Sequence, residues 1–345
     1  MLQYHSLYKY FSLFYPITKI IYIQAPNPRD MITPIKKKDL EKQGYRLSGE
    51  HSAVKVCLWT KKSLRDEGRC YKQKFYNINS HRCVQMTPTL PNCTLRCQWC
   101  WRDIEHTHPK WTGKTDSPKK IIQECIKAHV KYLQGFGGNK KTNKKKYEQA
   151  QKPLHFAISL AGEPTMYPKL PGLIKELHKQ GISSFLVTNA TNPEMLKKLK
   201  NNSPTQLYIT LPAPNEKIFR EMCSPLIKDA WKKILESLRI MKELKNRTRT
   251  TIRLTLAKNK NMIHPEEYAR LIKIADPTFV EVKAYMHVGY SKKRMDLKDM
   301  PRHNEIKEFA EQIARHTGYK IIDEQKPSRV VLLMKKDRKD RKLKF

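Results

Sequence analysis

"PTLPNCTLRCQWCWR", residues 88–102, places Cys93, Cys97 and Cys100 in a C-x3-C-x2-C array within eight positions. Three thiolates this close on one loop can hold three irons of a 4Fe-4S cube and leave the fourth iron open to a small molecule. Zinc is the competing occupant. It closes a tetrahedron with four ligands, so the loop would have to borrow one, with His106 or His108 nearest in sequence. The x3-then-x2 spacing, Trp99 ahead of the last cysteine and a β-rich run just upstream favour iron.

β-rich runs at 84–89, 155–161, 184–189, 206–211, 250–257 and 279–286 alternate with helical patterns at 118–134, 168–180, 193–200, 215–222, 229–245, 265–275 and 303–316. Parallel strands joined by crossover helices look like this in one dimension. Ser117-Pro118 and Asn192-Pro193 read as N-caps followed by proline in the first turn. The predicted fold class is α/β, an incomplete (β/α)6 version of the eightfold barrel over 84–334, with a doubly wound sheet as the other solution. Either places chemistry at the C-terminal ends of the strands. Residues 31–83 form an N-terminal cap. Residues 1–30 read as an extension ahead of a translation start at Met31. The lysine-rich stretch 135–153 reads as a protruding basic loop, and "KKDRKDRKLKF", 335–345, as a disordered basic tail.

With 69 Lys+Arg against 32 Asp+Glu, the formal net charge of +37 points to a polyanionic partner, nucleic acid before membrane. Lys9, Pro16 and Lys19 interrupt the apolar start too often for a membrane span. The eight cysteines come without a secretory signal pattern, so a reducing, cytoplasmic setting is expected. Cys125 and Cys223 read as core thiols.

Cys57, Cys70 and Cys83 form a second trio, C-x12-C-x12-C, with Lys72 beside its middle member. The spacing is too wide for a zinc knuckle, yet three thiolates can meet if each sits at the edge of a folded cap. A second 4Fe-4S cluster is therefore expected, with three cysteines that merely pack in a core as the alternative.

The C-x3-C-x2-C loop is the signature of the radical S-adenosylmethionine enzymes, and two further segments resemble theirs. "SLAGEPTMYP" would use Gly162 and the backbone at Glu163 and Pro164 to receive the cofactor's amino group, and "VTNAT" would use Thr188 and Asn189 for its polar groups. The double cysteine pattern, with "CYKQKFY", "EVKAYMHVGYSKKR" and "GYKIIDEQKPSRVVLL", resembles the tRNA 4-demethylwyosine synthases of the archaeal form from about Gln43 to Leu333. Asn77 and Ala190 stand where that family usually has glycine, and Pro212 fills a variable position.

The resemblance implies two 4Fe-4S clusters, S-adenosylmethionine, and an external one-electron reductant. The substrates would be pyruvate and tRNA(Phe) bearing N1-methylguanosine at position 37. It makes Lys72 the amine that condenses with the keto acid. Reaching the base then requires splaying and clamping it, which makes residues 140–146 and 289–294 candidate tRNA contacts and Trp101 and Arg102 candidates to stack on it, with shielding of the cluster as the alternative for Trp101. A monomer is expected. RNA methylthiolation by two clusters, and a zinc-stapled RNA-binding protein, are the rival readings.

Overall fold

The computed structural model describes residues 32–345, so the expected extension and the start at Met31 lie outside the described residues. The described chain opens with α1 (Pro34–Lys42), the hairpin β1 (Arg46–Ser48) and β2 (Ser52–Val54), and two short helices, α2 (Leu58–Leu64) and α3 (Tyr71–Tyr76). The six expected parallel strands follow: β3 (Cys83–Thr87), β4 (His155–Ile158), β5 (Ser183–Thr188), β6 (Gln206–Leu211), β7 (Arg249–Leu256) and β8 (Phe279–Ala284). Their crossovers carry α4 (Pro118–Gly137), α5 (Lys144–Ala150), α6 (Leu170–Lys179), α7 (Pro193–Lys198), α8 (Glu216–Cys223), α9 (Ala230–Leu244) and α10 (Pro265–Ala275). After α11 (His303–Thr317), β9 (Lys320–Gln325) and β10 (Val330–Met334) complete the ten-stranded order β1-β2-β3-β4-β5-β6-β7-β8-β10-β9. β3 to β8 are parallel, as an incomplete (β/α)6 barrel requires.

Four strands escaped the sequence reading. β1 and β2 have three residues each, too few to show a period, and the apolar run of β10 is as compatible with a helix segment as with a strand. All four pair antiparallel and extend the sheet at its two edges.

Alternation along the parallel strands divides a packed face from a hollow one. Met86, Leu186, Ile209, Leu254, Leu256 and Val282 are fully buried in the core shared with the helices. Their neighbours on the opposite face, Gln85, Val187, Thr210, Arg253, Thr255 and Lys283, are each partly accessible. Parallel strands packed on both faces are apolar throughout, so these residues line a lumen with room in it. Its floor is a second apolar cluster in which Tyr71, Phe75 and Tyr76 of α3 pack with Phe185, Tyr208, Phe279, Val330 and Leu332.

Two basic segments are more ordered than expected. In the lysine-rich stretch, α4 continues to Gly137 and Asn143 caps α5, its side chain accepting from the N–H of Lys146 (3.0 Å), while Lys146 pairs with Asp66. α5 packs on the 3-10 turn Ser80–Arg82, at the start of β3 and away from the 93–100 loop that follows its end. The tail docks rather than straying. Leu343 donates its N–H to the carbonyl of Tyr76 (2.9 Å), Arg341 donates to that of Phe75 (3.1 Å), and the ring of Phe345 lies 4.4 Å from that of His155. Charge runs fold when their ions find partners, and here Arg341 pairs with Asp337 (2.7 Å) and Arg249 donates to the carbonyl of Asp340 (2.6 Å). Among the described residues no helix is long and apolar enough to cross a membrane.

Candidate functional site

The first cysteine trio follows β3, on a loop held by main-chain bonds to other elements. Cys93 donates its N–H to His108 (3.1 Å), Arg96 to Cys223 (2.8 Å) and Gln98 to Met222 (2.9 Å), so the end of α8 braces the loop. From beyond β8, Arg294 donates to the carbonyls of Gln98 (3.1 Å) and Cys100. Gly289, at φ +59°, comes so close that a Cβ there would lie 2.6 Å from the Trp101 oxygen.

The three thiols are half-buried. Burial pushes Cys93 up to about 12; a hydrogen bond with Cys223, then burial, holds Cys97 well above the ordinary thiol value. Such thiols stay protonated until a metal displaces the proton. The charge they would then carry already has its counterpart. Arg102 is 8% exposed, hydrogen-bonds Cys93 and lies near Cys97 and Cys100, and its Nη2 has no partner. This burial makes Arg102 a poor stacking candidate. Trp101 is 52% exposed.

An anionic cluster fits this donor set. Thiolates around one zinc stand about 3.8 Å apart, as tetrahedral bonds of roughly 2.3 Å dictate, whereas a cube spreads them over three irons. Among the described residues no three His, Cys, Asp or Glu side chains converge tightly enough for a single metal ion, and His106 and His108 are exposed.

The ends of β4 and β5 meet this loop. Gly162 has φ +67°, and a Cβ there would fall 1.9 Å from the Thr89 oxygen, so only glycine admits the approach. Glu163 donates its N–H to the carbonyl of Asn92 (2.7 Å). Its buried carboxylate accepts from the N–H and hydroxyl of Thr165 (3.0 and 2.6 Å), the hydroxyl of Thr188 (2.6 Å) and the N–H of Asn189 (2.7 Å). Pro164 is buried and opens the 3-10 turn that follows. The Thr188 hydroxyl also accepts from Ala190, so its partners are both internal. Asn189 reaches further, its amide 3.0 Å from the Thr94 hydroxyl and 3.7 Å from the Cys93 sulfur. A cavity of about 230 Å³ opens alongside, walled in part by Tyr45, Leu90, Arg102 and Ala161.

The second trio gathers at the other end of β3. Cys57 precedes α2 and accepts its Thr60 N–H (3.3 Å), Cys70 precedes α3, and Cys83 opens β3, so the even spacing is that of two helix-and-turn units. The thiols feel one another: burial, then Cys57, raises Cys70 to about 11 and raises Cys83 further. Lys72, in the first turn of α3, points from this end into the lumen. It is 8% exposed, with its nitrogen 4.5 Å from the ring centroid of Tyr208 and 5.1 Å from that of Phe185. Through the pairings Gln85–Ala157–Phe185 these rings lie two residues up the barrel from Cys83. Burial, then the Arg253 charge, lowers the pKa of Lys72, against the pull of Glu281. Lys74 instead pairs with Asp323 (2.9 Å).

The sequence reading passed over the charged groups of the lumen wall. Glu281 is fully buried and accepts from Arg253 (3.0 Å), Tyr71 (3.0 Å) and Tyr76 (2.8 Å). Lys283 follows on the same face of β8, its amine donating to the carbonyl of Ser328 (2.6 Å). The available signal was a charge at alternate positions inside two strands otherwise apolar, Arg253 in "TTIRLTLA" and Glu281 and Lys283 in "EVKAYM".

Comparison with known proteins agrees with this architecture. Residues 143–272 match the Radical SAM superfamily and residues 274–335 match a family described as Wyosine base formation. The chain is 49% identical to the S-adenosyl-L-methionine-dependent tRNA 4-demethylwyosine synthase of Pyrococcus horikoshii, covering 86% of this chain and 87% of that protein. The enzyme of the same name from Methanocaldococcus jannaschii is 40% identical, over 88% and 96% of the two chains. A solved structure of TYW1 with a lysine-pyruvate adduct bound superposes with a TM-score of 0.81 at 37% identity, over 91% of this chain and all of that one. Archaeal TYW1 gives 0.73 at 35%, over 90% of this chain and all of that one. Conserved radical fold, wyosine-specific carboxyl-terminal segment and near-complete coverage together place the chain in the family of radical S-adenosylmethionine, 4Fe-4S-dependent tRNA 4-demethylwyosine synthases.

Proposed function

We propose that this protein condenses N1-methylguanosine-37 of tRNA(Phe) with the C2–C3 unit of pyruvate, using Lys72 to hold the keto acid. Cys93, Cys97 and Cys100 would hold the cluster that binds S-adenosylmethionine, and Cys57, Cys70 and Cys83 a second 4Fe-4S cluster. Once loaded and given an external one-electron reductant, the first of these sites would supply reductive cleavage of S-adenosylmethionine and so the hydrogen-abstracting radical chemistry directed at the N1-methyl group.

The remaining work belongs to the chain. Gly162, the backbone at Glu163 and Pro164, and Asn189 receive the cofactor's polar groups, with Thr188 fixing that loop through Glu163. Lys72 attacks the C2 carbonyl as the neutral amine, and burial favours that form. The carbonyl oxygen leaves as water, and the C2–C3 unit is fixed in the lumen for ring closure with loss of C1.

The observation that carries this reading is Lys72 itself, an amine in a ring-lined lumen between the two trios. A matching precedent is the lysine-pyruvate adduct named for the solved relative. The test is mass spectrometry of the nucleoside after anaerobic incubation of reconstituted protein with tRNA, pyruvate, S-adenosylmethionine and reductant. A two-carbon gain at the methylated guanosine is expected. Added sulfur would instead establish methylthiolation; an unchanged nucleoside, with zinc and no sulfide found by metal and sulfide analysis of the isolated protein, would establish a stapled binding protein.

A further inference from the structure

We infer that Lys283 is the carboxylate subsite of the lumen, the group that makes the enzyme select a 2-oxo acid over a neutral ketone. The inference rests on the reading of Lys72 given above.

The lumen wall carries more basic than acidic groups. Lys72, Arg253 and Lys283 face it, against one carboxylate, Glu281. That carboxylate is already engaged: one oxygen accepts from Arg253 and Tyr71, the other from Tyr76. Arg253 is therefore neutralised in place, and it also donates to the Tyr71 hydroxyl (2.6 Å). Lys283 is not neutralised. Its hydrogen bond goes to an uncharged main-chain oxygen, that of Ser328, leaving two of its three N–H groups for another acceptor.

An ammonium drawn out of water without a counter-ion is costly unless a ligand supplies one. Burial pushes Lys283 down to about 8, and an anion bound beside it would favour its charged form. It also shares its surroundings with Lys72. Lys283 pairs across the sheet with Thr255 and lies one inward position above Glu281, and it shares the neighbours Arg253, Glu281 and Cys70 with Lys72. In a 2-oxo acid the carboxylate carbon is bonded directly to the carbonyl carbon that Lys72 attacks, so its partner must stand within a few ångströms of that nitrogen. A carboxylate has two oxygens. A cluster held at the second trio would take one, and the other would still need a donor.

Reductive trapping tests this with the reconstituted full-length protein. Condensation forms the C=N bond at Lys72 and releases water, and borohydride adds hydride to leave a stable secondary amine, mapped by peptide mass. The concentration giving half-maximal trapping is read for pyruvate and for hydroxyacetone, which keeps the ketone and lacks the carboxylate. Loss of a charge-assisted bond in Lys283→Met should raise the pyruvate value about tenfold or more and leave the hydroxyacetone value within about twofold. Lys283→Arg should recover most of the preference. Unchanged hydroxyacetone trapping shows the variant to be folded; Lys283→Gln, which keeps a polar tip, is the companion, with the same expected loss. Trapping of pyruvate by Lys283→Met or Lys283→Gln at the unaltered concentration overturns the inference. Absence of any adduct at Lys72 in the unaltered protein overturns the reading beneath it as well, and the two failures look different.

Discussion

The two cysteine trios occupy opposite ends of one five-residue strand and are built in contrasting ways. Cys93, Cys97 and Cys100 lie within eight residues, on a loop after β3, and face a buried guanidinium, Arg102. Cys57, Cys70 and Cys83 span 27 positions, each at the start of a different element, and face an amine, Lys72. A guanidinium keeps its charge at any pH a protein survives, whereas a buried amine can lose its proton and become a nucleophile. The first site thus has a fixed countercharge beside it, the second an amine whose charge can be lost.

The largest test of this contrast is removal of the amine. Lys72→Ala should lower product formation by roughly a thousandfold or more, as loss of a covalent catalyst does, and abolish the borohydride adduct; Lys74→Ala, whose amine is tied to Asp323 and to the Glu324 carbonyl, should leave both within about twofold. Equal losses in the two variants would deny Lys72 its role. Next comes the guanidinium. Arg102→Leu leaves three thiolates without their cation, and iron analysis should fall from about eight to about four per chain as one cube is lost, with Cys57, Cys70 and Cys83 still protected from alkylation. Loss from the other trio would show that the countercharge has been misassigned.

The contrast also predicts which step titrates. Below the pKa of Lys72 the amine is protonated and cannot attack; above it the neutral form accumulates. Adduct formation at fixed pyruvate should therefore rise with pH, with its midpoint below the ordinary lysine value of 10.5, because burial and Arg253 lower it. A midpoint at or above that value would place the reacting amine in water.

The smallest effects concern one left-handed residue near each trio. Ala190, beside Asn189, has φ +63°, and Asn77, ending α3, has φ +64°. Ala190→Gly should stabilise the protein by about 0.5–1 kcal/mol, the steric relief less the extra freedom gained by the unfolded chain. Asn77→Gly should change stability less, because asparagine tolerates this conformation and its amide donates to the Leu343 carbonyl (2.9 Å). Denaturant midpoints of both variants measure the difference.

The same contrast governs what could be read from the sequence. The first trio was legible because its geometry is local, and the six parallel strands because each carries a full period of apolar residues. The positions where glycine was missed, Asn77 and Ala190, stood out before the backbone explained them. The burial of Arg102 against the first trio was not legible because nothing in a linear motif tells which way a guanidinium points. Lys283 and Arg253 were overlooked because their meaning depends on strands lying side by side. Segment 144–150 and the tail looked like solvated charge, since their partners Asp66, Tyr76 and His155 lie far away in sequence.

The docked tail has a mechanical consequence. Arg341 and Leu343 grip the last two carbonyls of the six-residue helix that carries Lys72, so the carboxyl-terminal stretch works as a latch on the barrel's floor. A proteolytic nick beyond Met334 would be felt at Lys72 while the ten strands, and the loop of Cys93, Cys97 and Cys100 at the far rim, stayed intact.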